Sequence, residues 1–402
     1  AMTGRRVPPA LRKSHSLRPR RTWAKVGVIV QVPLRPLESA IFAERPDPSV
    51  RIDLSAGSPG PGGAELARAI LGDRTPADLL GWSDLDATAR LQDTVARRYG
   101  VAPEQVVPTV GASQAIAQAL IALLRSGDHV VVERPTYEPL HRVPELLGAT
   151  VTRIDRRLED GWQLLPERLA KVLTSRTRAV VLTNLHSPSG VACSPRTLAE
   201  LAGLAARVGA VLLVDEVHLD FAFDPDPAAP CRPACLVAES AISFSSVSKA
   251  LGLPQLRVGW LVARDPEAVR ALRIAADYLH ARLPAAVALL AAGALEHAAS
   301  DMSHPTARQT AAGLRIVERW AQAEPRVEYV PPHAGLHALV RLPPAVSDVA
   351  LAHHLRERYD TRVVPGALLE APGCLRLGLL LPGPQLEQGL ANVSAALDDL
   401  AA

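Results

Sequence analysis

The chain has 402 residues, of which 48% are hydrophobic and 21% charged, so it can bury a substantial core and form two or three structural units. Its formal net charge is only +3, and eight Arg and Lys side chains fall within the first 25 residues, which leaves the remainder slightly acidic. We therefore expect an N-terminal basic arm, residues 1–50, and neither nucleic acid nor a membrane as a partner.

The cysteine pattern and the hydropathy indicate a cytoplasmic chain with reduced thiols. Cys193, Cys231, Cys235 and Cys374 show neither a paired spacing nor the density of a secreted scaffold, and no matching histidine pair accompanies them. We therefore expect no metal site. No stretch reaches the roughly 20 apolar residues of a membrane span, and the early run "VGVIV" lacks a signal-cleavage pattern.

Short apolar runs alternate with amphipathic stretches over about residues 85–285, which is the pattern of a parallel sheet covered by helices on both faces. Residues 111–127 and 194–209 have apolar side chains recurring at three and four, a serine near the start and a terminal glycine, so each predicts a helix. We predict an α/β domain here, with strands at 129–133, 178–184, 210–216, 241–246 and 259–263.

The pattern changes in the last third of the chain. Segments such as "RVEYVPPHAGLHALVRL", "ALAHHLRERY" and "CLRLGLLL" form a mixed series of strand-like and helix-like stretches. We predict a second, smaller unit over residues 286–402, with residues 51–84 supplying its N-terminal part and a linker.

Polar side chains follow three of the predicted strands at the point where each strand ends. Asn184 ends one run, Asp215 and Glu216 end the next, and Ser245 and Ser246 end a third. Ligands of doubly wound sheets lie outside the carboxyl ends of the strands. The sequence therefore predicts a site where these ends meet.

Lys249 is unusual because the chain has only four lysines among its 44 basic residues, the others being Lys13, Lys25 and Lys171. It stands just beyond a strand end, beside a cluster of hydroxyl groups. An amine there can form a Schiff base with a carbonyl cofactor, which arginine cannot do. The plainer alternative is a surface lysine.

An anion site is predicted around this amine. Arg257, eight residues later, offers a planar and permanently charged fork that suits a phosphate, and Ser246 and Ser248 can add hydroxyl donors. The start of a helix supplies free N–H groups and a partial positive charge to the same anion, from Gly111, Ala112 and Ser113.

The spacing of Ser246, Lys249, Arg257 and Gly259 resembles that of class I and II aminotransferases, which are fold-type I pyridoxal-phosphate enzymes. The resemblance extends from about residue 54 to about residue 397. It implies an α/β large domain with a mainly parallel seven-stranded sheet, a smaller α+β domain, pyridoxal 5′-phosphate as cofactor, and a homodimer with shared active sites. Lys249 is then the lysine that holds the cofactor.

The resemblance also implies roles for further residues. Tyr137 in "RPTYEP" would stack on the cofactor ring, and Asp215 in "VDEVH" would pair with the ring nitrogen. A carboxylate there keeps the ring protonated and therefore electron-withdrawing. The substrate side would comprise Gly57, Asn184 and Arg376, with the arginine gripping an α-carboxylate, and Trp82 in place of a family tyrosine that crosses a dimer interface.

Two departures from the family concern the donors to the 3-oxygen of the cofactor. The segment "NLHSPSG" has Ser187 where the family has asparagine, and "DEVH" has His218 where the family has tyrosine. Weaker donation would raise the basicity at the cofactor and alter which bond breaks. With an ordinary pKa near 6.5, His218 could also move protons, or it could be a purely structural strand-end residue.

These residues leave three hypotheses. The first is an aminotransferase, in which Lys249 moves the proton of the substrate Cα. The second is a carbon–sulfur β-lyase, or a decarboxylating or deaminating tailoring enzyme, acting on a cysteine-type conjugate of specialised metabolism; Ser187 and His218 motivate it. The third is a non-catalytic cofactor-binding regulator, for which the arm before Leu54 is too short to hold a DNA-binding domain.

Overall fold

The computed structural model describes residues 49–55, 57, 63–73, 75, 77–78, 81, 83–222, 231–300 and 305–401. The predicted basic arm therefore lies outside the described residues, apart from its last two positions. Within the described part, no helix is both long and apolar enough to cross a membrane.

The described residues form the following strands and α-helices in chain order. The strands are β1 (Ile52–Asp53), β2 (Val106–Thr109), β3 (His129–Arg134), β4 (Thr150–Asp155), β5 (Thr177–Thr183), β6 (Val211–Asp215), β7 (Ala241–Ser246), β8 (Gly259–Ala263), β9 (Glu328–Tyr329), β10 (His337–Arg341), β11 (Thr361–Arg362), β12 (Val364–Pro365) and β13 (Cys374–Gly378). The helices are α1 (Gly63–Leu71), α2 (Asp84–Tyr99), α3 (Gly111–Leu123), α4 (Pro139–Leu146), α5 (Pro166–Ala170), α6 (Pro195–Ala206), α7 (Ala234–Val237), α8 (Pro266–Leu279), α9 (Ala285–Ser300), α10 (Pro305–Ala323), α11 (Asp348–Tyr359) and α12 (Gly383–Ala401).

The large sheet confirms the predicted α/β fold. Its seven strands lie in the order β2-β8-β7-β6-β5-β3-β4. The pairs from β4 to β7 are all parallel, whereas β8 runs antiparallel to both β7 and β2. All five predicted strands are present; β2 and β4, at the two edges, were not predicted from apolar runs.

Helices cover both faces of this sheet, as the amphipathic stretches predict. On one face Ile116 and Leu120 of α3 pack with Leu272 of α8. On the other face Leu198 and Leu201 of α6 pack against the sheet. Helix α6 begins after Ser194, whose hydroxyl accepts a hydrogen bond from the Thr197 N–H, so the predicted serine cap is present.

The last third of the chain forms a second sheet with its own core. Strands β12-β13-β10-β9 form a four-stranded sheet, and β1 pairs with β11. Leu375 and Leu377 of β13 pack with Val317 of α10 and Leu390 of α12. Helix α9 instead packs against α2, beside the large sheet. We call the seven-stranded sheet and the helices that pack on it the large-sheet unit. We call the four-stranded sheet, the β1–β11 pair and the helices that pack on them the small-sheet unit.

The parallel register of the large sheet brings the predicted polar strand ends together. Thr183, the last residue of β5, pairs with Asp215, and Asp215 pairs with Phe244 two residues before the end of β7. Asn184 and Ser246 therefore lie near Asp215 at the same edge. This edge is where the candidate site lies.

Candidate active site

A cavity of about 240 Å³ lies at the carboxyl ends of β5, β6 and β7 and is closed on one side by the small-sheet unit. It brings together eleven residues singled out in the sequence: Ala112, Ser113, Tyr137, Ser187, Asp215, His218, Ser246, Ser248, Lys249, Arg257 and Arg376. Gly111, Asn184 and Gly57 lie beside it, as described below. Trp82 lies outside the described residues.

Two close approaches build a compact cradle for an anion at one end of the cavity. Gly111, which opens α3, has a φ of +74°, and a Cβ on it would lie 2.8 Å from Nη2 of Arg257. A Cβ on Gly259 would lie 2.9 Å from the carbonyl carbon of Gly111. The guanidinium therefore packs directly on the helix start, and both favour an anion such as a phosphate.

Hydroxyl groups complete this end of the cavity. Ser248 Oγ is buried and has no hydrogen-bond partner within the described part of the chain. The Ser248 N–H donates to Ser246 Oγ over 3.3 Å, so both side chains follow β7 as one turn. An orphaned buried hydroxyl indicates that a polar ligand belongs here.

Asp215 provides the acidic side chain of the cavity. Its side chain is 5% exposed, and Oδ1 accepts a hydrogen bond from the Val217 N–H over 3.1 Å. Burial raises the pKa of Asp215 to about 7, although this hydrogen bond and the positive charge of Lys249 oppose the rise. A buried carboxylate of this kind fits the protonated ring nitrogen of the implied cofactor. The positive charge of that nitrogen would restore the ionised form of Asp215.

Lys249 lines the cavity from the turn that follows β7. Its ammonium group donates a hydrogen bond to the carbonyl oxygen of Gly57, from the segment that follows β1. Arg376, on β13, is 2% exposed and donates from Nη2 to the carbonyl oxygen of Ser55 over 3.0 Å. Ser55 and Gly57 thus contact the guanidinium and the amine, respectively, at the substrate side of the cavity.

Ser187 and His218 occupy the two positions where the sequence departs from the family. The Ser187 N–H donates to Thr183 Oγ1 over 3.0 Å. The His218 ring is 7% exposed, and its Nδ1 is buried without a hydrogen-bond partner among the described residues. Burial, with the positive charges of Lys249 and Arg376, lowers the pKa of His218 to about 3, so its imidazole is neutral at pH 7.

Asn184 is held beside the cavity rather than in its lining. It is fully buried, and Oδ1 accepts a hydrogen bond from the Cys193 N–H over 3.0 Å. Its Nδ2 has no partner within the part of the chain that the structure describes. The amide therefore keeps one donor available at the end of β5.

Six further residues line the cavity without having been predicted: Thr136, Thr183, Val217, Pro254, His337 and Leu369. The His337 and His218 rings meet edge to face, with centroids 5.7 Å apart. His337 pairs with Gly378 across β10 and β13, and Leu339 pairs with Arg376, so all four lie on one sheet face. The sequence signal available for His337 was its position two residues before Leu339, the strand partner of Arg376.

A buried ion pair supports the cavity wall from below. Glu133 and Arg156 are fully buried, with Nε 2.6 Å from Oε2. The other carboxylate oxygen accepts hydrogen bonds from the N–H and the hydroxyl of Thr183, each 2.6 Å long. The pair thereby fixes Thr183, which in turn holds the Ser187 backbone.

Comparison with known proteins identifies the family. The model of aminotransferase class I and II matches residues 67–393. Capreomycidine synthase of Streptomyces vinaceus is 36% identical over 311 residues, which cover 77% of this chain and 78% of that protein. Arginine–pyruvate transaminase of Pseudomonas aeruginosa is 27% identical and covers 79% of this chain and 83% of that protein.

A solved structure agrees with this assignment. The crystal structure of a PLP-dependent aminotransferase from Streptococcus suis matches with a TM-score of 0.75 and 28% identity, covering 88% of this chain and 94% of that one. The cradle, the buried carboxylate and the amine fit the phosphate, ring nitrogen and aldehyde of pyridoxal 5′-phosphate. The chain belongs to the class I and II aminotransferase family and is an enzyme of the aminotransferase type that depends on pyridoxal 5′-phosphate.

Proposed function

We propose that this enzyme transfers the α-amino group of an amino acid to a keto acid, with Lys249 as the residue that moves the proton at the substrate Cα. The observation that carries the proposal is the convergence of Lys249, Asp215 and Arg376 on one cavity. These side chains come from the two sheet units and supply an amine, a buried acid and a carboxylate clamp.

The cofactor is held, in this proposal, by the cradle at one end and by Asp215 at the other. Arg257, Ser246, Ser248 and the N–H groups that open α3 receive the phosphate, while Tyr137 covers a ring face. When bound, pyridoxal 5′-phosphate supplies an electron sink that stabilises negative charge at the substrate Cα. Asp215 strengthens that sink because its carboxylate favours the protonated ring nitrogen.

The substrate is an amino acid or an amino-acid-bearing metabolite. Arg376 can hold the α-carboxylate with its guanidinium fork, and Asn184 Nδ2 is a further donor at the end of β5. This orientation presents the Cα hydrogen to Lys249 Nζ. In this proposal the amine takes the proton from Cα and returns it at C4′ of the cofactor. This is general acid–base catalysis by a positioned side chain.

A second candidate is expulsion of a β-substituent or loss of carbon dioxide from the same substrate class. Two observations favour it. Ser187 and His218 replace the expected donors, and the neutral His218 ring lies in the cavity lining. In addition, the relative that is 36% identical is named as a synthase rather than as a transaminase.

The experiment is a product analysis of the holoenzyme with single L-amino acids. Amino transfer releases one keto acid per active site without free ammonia, and further turnover requires a keto-acid acceptor. Elimination releases ammonia continuously and needs no acceptor. Lys249→Ala should abolish either reaction, whereas Lys171→Ala, at an exposed position, should retain it.

The homodimer stays a proposal, which exposed apolar side chains support. Tyr278 is 88% exposed, and Leu85 and Ile274 are 57% and 49% exposed. Leu85 and other residues of the helix that carries Tyr278 border one surface groove, and exposed apolar side chains of this kind are typical of interfaces. Light scattering of the holoenzyme at micromolar concentration tests this: a monomer would contradict it.

Location in the cytoplasm and the domain bounds 51–84, 85–285 and 286–402 also stay predictions. All four cysteines are unpaired with one another and buried, which is consistent with a reducing compartment. Helix α9 follows residue 285 but packs on α2 beside the large sheet, so limited proteolysis that maps the domain boundary is the relevant test.

A further inference from the structure

Residues 366–373, which we call the Leu369 segment, form one wall of the cavity. Leu369 lines the cavity together with Arg376 and Lys249. The segment opens with a 3-10 helix, Gly366–Leu369, and turns back sharply, because a Cβ on Gly366 would lie 2.1 Å from the carbonyl oxygen of Ala371. The position of this wall therefore sets the room left for a substrate side chain.

The small-sheet unit anchors this segment at both of its ends. The Asp348 carboxylate accepts hydrogen bonds from the N–H groups of Ala367 and Gly373, over 2.7 and 3.2 Å. Neither contact reaches Leu369 itself. Within the segment, the Ala371 N–H donates to the carbonyl oxygen of Gly366 over 2.8 Å, a bond that does not connect the segment to the large-sheet unit.

Glu370, directly after Leu369, has a backbone conformation that favours glycine. Its φ is +62°, in the left-handed region, where a side chain is disfavoured. A non-glycine residue in this region is worth explaining by what its side chain does. Glycine would relieve the strain. The reason for a glutamate at this position therefore lies in the contacts of the Glu370 carboxylate.

That carboxylate bridges the two sheet units. Arg153, on β4 of the large sheet, donates from Nη1 to Oε1 over 2.8 Å, and its Nη2 lies 2.5 Å from Oε2. Nη2 also donates to the Glu133 carbonyl oxygen over 2.7 Å, which fixes the guanidinium on the sheet. His141 Nε2 lies 3.7 Å from Oε2. The Arg153 side chain is only 15% exposed, so solvent screens the pair incompletely.

We propose that Glu370 is a positioning residue, which through Arg153 holds Leu369 as the wall that limits the size of the substrate side chain. This inference rests on the proposed function, since it assigns the cavity to an amino-acid substrate. Glu370 does not touch the reacting atoms. It acts by fixing the residue before it.

The test compares Glu370→Gly with Asp360→Gly, both in the holoenzyme. Asp360 also has a left-handed φ, +46°, and does not line the cavity, so its variant relieves the same kind of strain elsewhere. We expect amide hydrogen exchange of residues 366–373 to become at least fivefold faster in Glu370→Gly and to stay unchanged in Asp360→Gly. The melting temperature of Glu370→Gly should fall little despite the faster amide exchange, because glycine suits this backbone.

A second readout uses two aminooxy acids, whose reaction with the bound cofactor is followed by loss of its absorbance and requires no amino transfer. The probes are aminooxyacetate and the bulkier L-2-aminooxy-3-phenylpropanoate. We expect the bulky-to-small rate ratio to rise at least fivefold in Glu370→Gly. Leu369→Ala should give the same rise without faster exchange.

Unchanged amide exchange in Glu370→Gly would overturn the proposal, even if no amino donor is ever found. An unchanged probe ratio would overturn it as well. Failure of the proposed function is seen separately, as the absence of keto-acid formation in an enzyme that still reacts with both probes.

Discussion

Asp215→Asn should stabilise the cofactor-free enzyme increasingly as the pH rises towards 7, because the buried carboxylate is costly to ionise. Its ordinary pKa is 3.8 and its pKa in the folded chain is about 7. Between these values the unfolded chain loses its proton while the folded chain keeps it, so folded stability falls as pH rises. At roughly 1.36 kcal/mol per pH unit, the cost reaches about 4 kcal/mol above pH 7.

Asparagine removes this cost and can still accept the hydrogen bond from the Val217 N–H. In urea unfolding of the cofactor-free enzyme, the stability gained by Asp215→Asn should grow from about 2 kcal/mol at pH 5 to about 4 kcal/mol at pH 8. In the holoenzyme the same variant should lose stability and activity, since a protonated ring nitrogen compensates the carboxylate. A gain that does not depend on pH would refute the assignment of Asp215 as a desolvated acid.

Three more predictions follow from the geometry. Gly111→Ala should weaken pyridoxal 5′-phosphate binding at least tenfold by equilibrium dialysis, because the new Cβ meets the guanidinium of the cradle; Gly209→Ala, with a similar φ of +74° and open space around it, should not. Arg156→Met should cost about 3–5 kcal/mol in urea unfolding, because it leaves the Glu133 charge buried and unpaired; a cost below 1 kcal/mol would contradict this. His218→Gln should remove part of the loss of stability between pH 6.5 and pH 4.5, where the unfolded imidazole gains a proton and the folded one does not. This part is about 3 kcal/mol, and an unaltered pH dependence would contradict the lowered pKa.

The inner strands of the large sheet are predictable because both of their faces are buried. Strand β8, for example, is buried at every position and reads as an uninterrupted apolar run. The edge strands lack this signal. Strand β4 is mostly half-buried and carries Thr152 and Arg153, and β2 contains Pro108, which a sheet accepts at its edge.

The part of the site that follows β7 is predictable because its residues share one short segment with a distinctive spacing. His337, Leu369 and Glu370 are a different case. They enter from the small-sheet unit, where side-chain placement depends on the register of β10 with β13 and on a left-handed backbone at Glu370. Neither is written in local periodicity, so only the fold brings these residues to Lys249.

The identity of the cofactor-bearing amine tests the account most directly. Borohydride reduction of the holoenzyme, followed by peptide mapping, locates the pyridoxyl group on one of the four lysines of the chain. We predict a single modified site at Lys249. Modification at Lys13, Lys25 or Lys171, with Lys249 left unmodified, would contradict it.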